Sequence, residues 1–235
     1  MEVLMSQPNF AQEKSIKIYE KTSEHSSYQD SLLFIRDLAI MLRLSQQCVA
    51  TAQFYFNSAN ISFFSISSDI SSYDSLLLAT SCLFIAGKAL EQPRHLELFC
   101  KVFYDRRSAI QIGKNSRLQI PPMSKAMLEK FKQSIIYYEF IILNTIGFST
   151  YIPLPYSYIT NFVNLTDLDV KTKDSLLRCA NSFANDSFRS LVALKKNAEN
   201  IGRACIFLAS KYLQIETTIS ADPETINFIL EWYNN

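Results

Sequence analysis

Apolar positions recur along most of this chain at the three- and four-residue spacing of an α-helix. The clearest run predicts a long amphipathic helix over 123–146 and consists of Leu128, Phe131, Ile135, Tyr138 and Ile142. With prolines as boundaries, the same spacing predicts eight other helices. They lie near 29–43, 46–59, 73–89, 94–108, 155–164, 170–188, 197–213 and 223–234. No alternating strand pattern extends beyond a few residues, with 61–70 the one ambiguous case, so the chain is predicted to be all-α.

Three polar stretches lie outside this helical pattern. Residues 60–72 are rich in serine, and residues 109–120 centre on a Gly-Lys-Asn-Ser sequence, so both are predicted to be surface loops. Residues 1–28 form a polar N-terminal segment that is either a flexible arm or an added helix, and the sequence does not decide between the two.

A short segment of the chain occurs twice, about 120 residues apart. Ser81–Lys88 matches Ala204–Lys211 position by position in residue type, and both copies end in lysine. Each copy lies in a stripe of small residues at helical spacing, which lets neighbouring helices approach closely. These stripes are Ala79, Cys82 and Ala86, then Gly202, Cys205 and Ala209. The repeat predicts two related helical domains, 29–150 and 151–235, of which the second is shortened.

Composition narrows the range of functions. Hydrophobic residues make up 48% of the 235 positions, so a folded core is expected. Lys and Arg total 23 against 22 Asp and Glu, so the chain has almost no net positive charge to attract nucleic acid. The most apolar window, 76–89, is too short to span a bilayer, and the first residues lack the pattern of a secretory signal. A soluble protein without membrane contact is predicted.

Candidate metal and catalytic groups are sparse. The five cysteines contain no C-x-x-C pair, and four lie inside apolar helical patterns, which is typical of reduced core residues in an intracellular protein. His25 and His95 have no acidic or cysteine partner at metal-binding spacing. We therefore expect no metal and no cofactor, and no set of residues here forms a catalytic site.

The sequence around the first repeat resembles the cyclin box of the transcription-type cyclins, the K, T and L classes. The resemblance begins with Cys82–Arg94 (CLFIAGKALEQPR), where that family has a helix ending in a similar Lys, Glu and Pro pattern. Four further segments agree in order: Leu42–Gln46, Glu139–Phe148 (EFIILNTIGF), Leu154–Tyr156 and Asn185–Arg189. The likeness runs from about residue 30 to 213. It implies an all-α tandem cyclin-box fold, two bundles of the five-helix type with the second reduced.

The chain departs from that family at several positions, including two near the start of the first domain. Most relatives carry an aromatic/His/Asp-Arg-Phe group at the end of the second helix, where this chain has Asn57-Ser58-Ala59. Residues 27–31 also differ from the hydrophobic docking patch of cell-cycle cyclins. The second difference argues against that mode of recruiting substrates.

The candidate site consists of residues from the two best-matching segments. Taken alone, Lys88 suits the end of an apolar helix, where a cation is favourable. Glu139 has only apolar neighbours one turn away, so its carboxylate is expected to need a partner. The resemblance implies that Lys88 and Glu139 lie side by side and bind the start of the αC helix of a cyclin-dependent kinase. It also implies that Ile85, Leu143 and Phe148 line an apolar pocket for that helix.

The resemblance therefore implies a non-catalytic regulatory subunit. By holding the kinase αC helix inward, it would activate a kinase that phosphorylates the C-terminal domain of RNA polymerase II, in the nucleus. An alternative is a TFIIB-like DNA-bridging factor with two cyclin folds. The neutral charge and the lack of C-x-x-C pairs count against this alternative. No direct contact with nucleic acid is expected.

Overall fold

The computed structural model describes residues 25–66, 74–113 and 120–234. Every regular element in these ranges is a helix, which confirms the all-α prediction. Backbone contacts divide the chain into two compact units, the first ending at Tyr151 and the second beginning at Ile152. No helix in the described ranges is both long enough and apolar enough to cross a membrane.

The first unit is built around one apolar helix. Its described helices are α1 (His25–Leu42), α2 (Gln46–Ile66), α3 (Ser75–Ala89), α4 (Leu96–Ile112) and α5 (Lys125–Thr145). Helix α3 packs against α1, α2 and α5. Ten of its 15 residues are buried, and the small side chains of Ala79, Cys82 and Ala86 are fully enclosed. These small residues allow three neighbours to approach α3 closely.

The second unit repeats this plan around its own small-residue helix. Its described helices are α6 (Pro155–Asn164), α7 (Val170–Ser187), α8 (Val192–Lys195), α9 (Ala198–Leu213) and α10 (Pro223–Asn234). Helix α9 packs against α6 and α7. A Cβ atom on Gly202 would meet Tyr158 Cβ at 3.2 Å, so a larger residue would require α6 to shift slightly away from α9. Cys205 and Ala209 continue the same buried stripe.

The serine-rich loop prediction for 60–72 is wrong over residues 60–66, because α2 continues to Ile66. Side-chain polar groups in this part bond within the helix: Asn60 Nδ2 donates to Phe56 O at 2.8 Å, and Ser62 Oγ donates to Ser58 O at 3.1 Å. Such bonds satisfy the side chains without breaking the helix. Residues 67–72 lie outside the described part of the chain.

The loop prediction for 109–120 is wrong at its first four residues, because α4 extends to Ile112. The helix ends at Gly113, which has φ 76° and donates its N–H to Ala109 O. Glycine reaches this left-handed region without strain, so it is a natural helix terminator. Residues 114–119 lie outside the described part. The four-residue helix α8 is absent from the sequence prediction.

The cysteines take the predicted place in the core. All five are free thiols, and Cys48, Cys82, Cys100 and Cys205 are buried, while Cys179 is half-buried. They act as small apolar residues in the packing of the helices.

Candidate functional site

Lys88 and Glu139 are distant in the chain and form an ion pair in the structure. Lys88 lies in the last turn of α3, and Glu139 lies on α5, which packs against α3. Lys88 Nζ donates to Glu139 Oε1. The two side chains that the sequence analysis paired are therefore in contact.

The position of each charge follows from the apolar residues around it. Lys88 follows the buried part of α3, and its Nζ lies 4.3 Å from the centre of the Phe84 ring. Glu139 is flanked one turn away on each side by the buried residues Ile135 and Ile142. Its side chain is only 19% exposed, compared with 42% for Lys88. The pair therefore lies at the edge of an apolar surface.

This ion pair adds little to the stability of the fold. An exposed pair contributes about 0.2–1 kcal/mol, since water and salt screen the charges. Glu139 Oε2 accepts no hydrogen bond from any described residue, and Lys88 Nζ uses one of its donors. One carboxylate oxygen and ammonium N–H groups consequently remain available to a binding partner.

The three predicted apolar residues lie at different depths. Ile85 is buried one turn before Lys88, Leu143 is half-buried one turn after Glu139, and Phe148 is 62% exposed. Phe148 has φ 58°, a conformation that a bulky residue rarely adopts, and its N–H donates to Leu143 O at 2.8 Å. This bond folds the chain back at the end of α5, so an aromatic ring is left exposed beyond the helix end.

The exposed apolar side chains of α5 include two that the sequence analysis did not assign to the site. Ile136 is 53% exposed and Phe140 is 64% exposed, one helical turn apart and on either side of Glu139 in the sequence. The predicted apolar stripe of α5 includes neither of them. Their signal was present in the sequence as large apolar residues outside the stripe that faces the core.

The chain that follows Lys88 is tied back to the first helix. Gln92 N–H donates to Gly87 O at 2.8 Å and closes the turn after α3. Arg94 Nε donates to Leu42 O at 3.1 Å, and its Nη2 donates to Arg43 O at 3.0 Å. The guanidinium thus satisfies carbonyl groups at the end of α1, and it fixes the end of α3 relative to α1.

Two buried thiols of the first unit have shifted pKa values. Burial raises the pKa of the Cys82 thiol well above its ordinary value and raises the pKa of Cys100 to about 11. Both thiols are therefore protonated at neutral pH and are poor nucleophiles. No group of three or more His, Cys, Asp or Glu side chains in the described ranges could hold a metal ion.

Sequence comparison relates the first unit to a known family. The family described as "Cyclin, N-terminal domain" matches residues 4–150. Cyclin-T1-5 of Arabidopsis thaliana is 28% identical over 78% of this chain, and human Cyclin-L1 is 29% identical over 77%. The matched regions cover 30% and 32% of those proteins, so this chain spans about a third of the length of these relatives.

Comparison of structures extends the likeness to almost the whole chain. A chain of the yeast RNA Pol II CTD kinase CTDK-1 complex matches 97% of this chain with a TM-score of 0.76 and 17% identity, over 72% of its own length. A chain of the yeast TFIIK (Kin28/Ccl1/Tfb3) complex also matches 97%, with a TM-score of 0.62 and 16% identity, over 94% of its own length. At these identities the likeness concerns the fold.

Proposed function

Since the chain belongs to the cyclin family, we propose that it is a regulatory subunit that binds and activates a cyclin-dependent kinase. The observation that carries this proposal is the Lys88–Glu139 ion pair at the edge of the apolar surface on α5. A pair that adds little to stability, and that keeps free donors and an acceptor, is suited to hydrogen bonding with another protein.

The kinase element that fits this surface is its αC helix. Lys88 and Glu139 would bond backbone groups at the start of that helix, while Leu143 and Phe148 would contact an apolar side chain from it. Ile85 is buried and would form the floor of the same pocket. Ile136 and Phe140 would widen the apolar contact along α5. Fixed polar groups beside an apolar anchor give orientation as well as affinity.

Activation by this route needs no chemistry from the cyclin itself. A protein kinase is active when the glutamate of its αC helix pairs with the lysine of strand β3. A subunit that holds αC inward therefore completes the kinase active site and stays non-catalytic. The ordered termini of α3 and α5 make this chain a rigid support for such a contact.

We place the partner among the transcriptional kinases, which act on the C-terminal domain of RNA polymerase II, and we place the complex in the nucleus. Two observations support this class. The relatives named above are cyclins of the T and L types. The matching solved structures include a complex described as an RNA Pol II CTD kinase.

The proposal is tested by exchanging the two charges of the site. In the double variant Lys88→Glu/Glu139→Lys, the internal ion pair persists with reversed polarity, so the fold should be retained. The charges offered to a kinase are inverted, and we expect affinity for the co-purified kinase to fall by more than about tenfold. Activity of the isolated complex on a heptad-repeat peptide of the polymerase should fall with it.

A matched control is available in the second unit. Asp174 and Arg178 form an exposed ion pair on α7, and the exchange Asp174→Arg/Arg178→Asp alters charge in the same way. This control should bind the kinase like the natural chain. Equal kinase binding by the site variant, or recovery of the chain with promoter DNA and no kinase, would overturn the proposal.

A further inference from the structure

An open cleft in the second unit lies at the end of its central helix. It has a volume of about 770 Å³. Its lining comes from the last two turns of α9, including Phe207 and Lys211, and from the segment that follows, up to Thr218. The proposed kinase contacts all lie in the first unit, so they make no use of this cleft.

The segment after α9 shows the alternating burial of a single β-strand. From residue 215 to residue 221, odd-numbered side chains are half-buried and even-numbered side chains are exposed. The apolar members Ile215, Ile219 and Ala221 pack against the core of the second unit. Alternation with a period of two is the pattern of an extended chain with one face on a core.

From Glu216 to Ala221, no backbone N–H or C=O group forms a hydrogen bond with any residue in the described ranges. A row of free backbone donors and acceptors on an extended chain is a template for pairing with another extended chain. This mode of recognition takes its affinity from the main chain and its specificity from neighbouring side chains.

Lys211 supplies a charge beside this backbone template. It occupies the position in the second repeat that Lys88 occupies in the first, and its Nζ lies 5.5 Å from the centre of the Phe207 ring. Lys88 has a carboxylate partner, whereas Lys211 forms no ion pair with any described residue. Glu216 also lines the cleft, so a carboxylate on a ligand is favoured at the Lys211 end of the cleft and not along its whole length.

We propose that the cleft binds an extended peptide segment of a partner protein that carries an acidic side chain. The peptide would pair its backbone with the Glu216–Ala221 segment and direct its carboxylate to Lys211. An apolar side chain beside the acid would lie against Phe207. This recognition adds a second docking surface to the molecule, and it depends on none of the residues proposed to contact the kinase.

The side-chain part of the proposal is tested with labelled synthetic peptides of alternating valine and threonine. Each peptide carries one aspartate, and the set moves the aspartate through every position. Fluorescence anisotropy with the full chain should show saturable binding for peptides with aspartate in one register. Lys211→Glu should weaken that binding by about tenfold or more. A second peptide, with lysine in place of the aspartate at the same position, should then bind the Lys211→Glu variant better than the aspartate peptide does. Lys171→Glu, an equal charge change at an exposed position of α7, should change neither.

The backbone part is tested by chemistry on the peptide. Methylation of alternate backbone nitrogens along one edge of the best binder should abolish binding, while methylation along the other edge should preserve it. Binding that survives both patterns, the absence of binding by every peptide in the set, or self-association of the chain through this segment would each overturn the proposal. The Lys88→Glu/Glu139→Lys variant should bind the peptide normally, so the outcome is separable from that of the kinase experiment.

Discussion

Gln92 is bonded through both ends of its side-chain amide to Ser45. Its Nε2 donates to Ser45 Oγ at 2.9 Å, and its Oε1 accepts from the Ser45 backbone N–H at 3.0 Å. Gln92 follows α3 and Ser45 precedes α2, so the amide joins the end of one helix to the start of the other. Together with the Arg94 bonds to the end of α1, this contact fixes the turn that begins at Lys88.

The variant Gln92→Ala should therefore affect both the fold and the site. It removes the acceptor of the part-buried Ser45 N–H, which should lower the free energy of unfolding by about 1–2 kcal/mol in denaturant titrations. It should also weaken kinase binding by the folded chain, because the end of α3 loses a restraint. Gln133→Ala on the exposed face of α5 is the control and should change neither quantity. Unchanged stability in Gln92→Ala would show that the amide does not hold the two helices together.

A buried hydrogen bond accounts for one departure from the family pattern. Tyr28 Oη donates to Asn57 Oδ1 at 2.6 Å, and both residues are buried. The Tyr28 ring stacks on Phe56 with centroids 5.9 Å apart, and burial raises the pKa of its phenol, which stays protonated. Asn57 thus serves as an internal acceptor at the position where relatives carry a different group.

Tyr28→Phe keeps the ring and removes this donor. We expect it to lower the free energy of unfolding by about 1 kcal/mol, because the buried hydrogen bond from Tyr28 Oη to Asn57 Oδ1 is lost. Kinase affinity per folded molecule should be unchanged, since neither residue lies near Lys88 in the sequence or at the proposed contact surface. Tyr137→Phe, on the exposed side of α5, should leave stability nearly unaltered. Equal effects of the two substitutions would contradict this account of Asn57.

For the exposed apolar side chains on α5 we predict an effect on kinase affinity without an effect on stability. Ile136→Ser/Phe140→Ser should leave the unfolding free energy almost unchanged, because neither side chain is part of the core. The variant should lose kinase affinity by about tenfold or more, since large apolar side chains supply much of the binding energy of an interface. The matched control is Leu165→Ser/Val170→Ser, which removes two exposed apolar side chains from the second unit. Full kinase affinity in the α5 variant would limit the interface to the ion pair and its immediate neighbours.

Helical periodicity was sufficient to predict the all-α fold class, whereas the pairing of Lys88 with Glu139 was predicted from the family resemblance. The stripe through Ile135 and Ile142 sets which face of α5 turns inward, so it also places Glu139 at the border of that face. The all-α prediction is confirmed, and the family resemblance is confirmed by the match over residues 4–150. These features depend on residue patterns that extend over whole helices and motifs, and such patterns can be identified in a single sequence.

Features that depend on how polar side chains bond to the nearby backbone, or on what lies outside the buried face, were harder to predict. Asn60 and Ser62 favour loops in general, yet here they bond to carbonyl groups one turn earlier and continue α2. Ile136 and Phe140 were missed because periodicity identifies the buried face and does not reveal apolar side chains on the other face. The lack of backbone hydrogen bonds from Glu216–Ala221 to the described part of the chain was not predicted, because residue types do not show which segments pair in the fold.

The ionisation of Asp222, at the start of α10, makes the stability of the second unit depend on pH. Its carboxylate accepts from Thr225 Oγ1 at 2.7 Å and from Lys196 Nζ at 3.1 Å. These bonds, with those from backbone N–H groups at the helix start, lower the pKa of Asp222 from 3.8 to about 2. The folded state therefore favours the ionised carboxylate more strongly than the unfolded state does.

The sign of the effect follows from that difference. Above about pH 5 the carboxylate is ionised in both states, and its stabilising bonds are fully present. As pH falls from about 5 to about 2, the unfolded chain takes up a proton first, so this contribution to stability is lost. Asp222→Asn retains a capping side chain without the charge, so the stability of its second unit should fall less steeply over this range. Hydrogen exchange of α10 amides as a function of pH measures this difference. Asp167→Asn, at an exposed position between α6 and α7, is the control, and an unchanged pH profile in Asp222→Asn would contradict the assigned role.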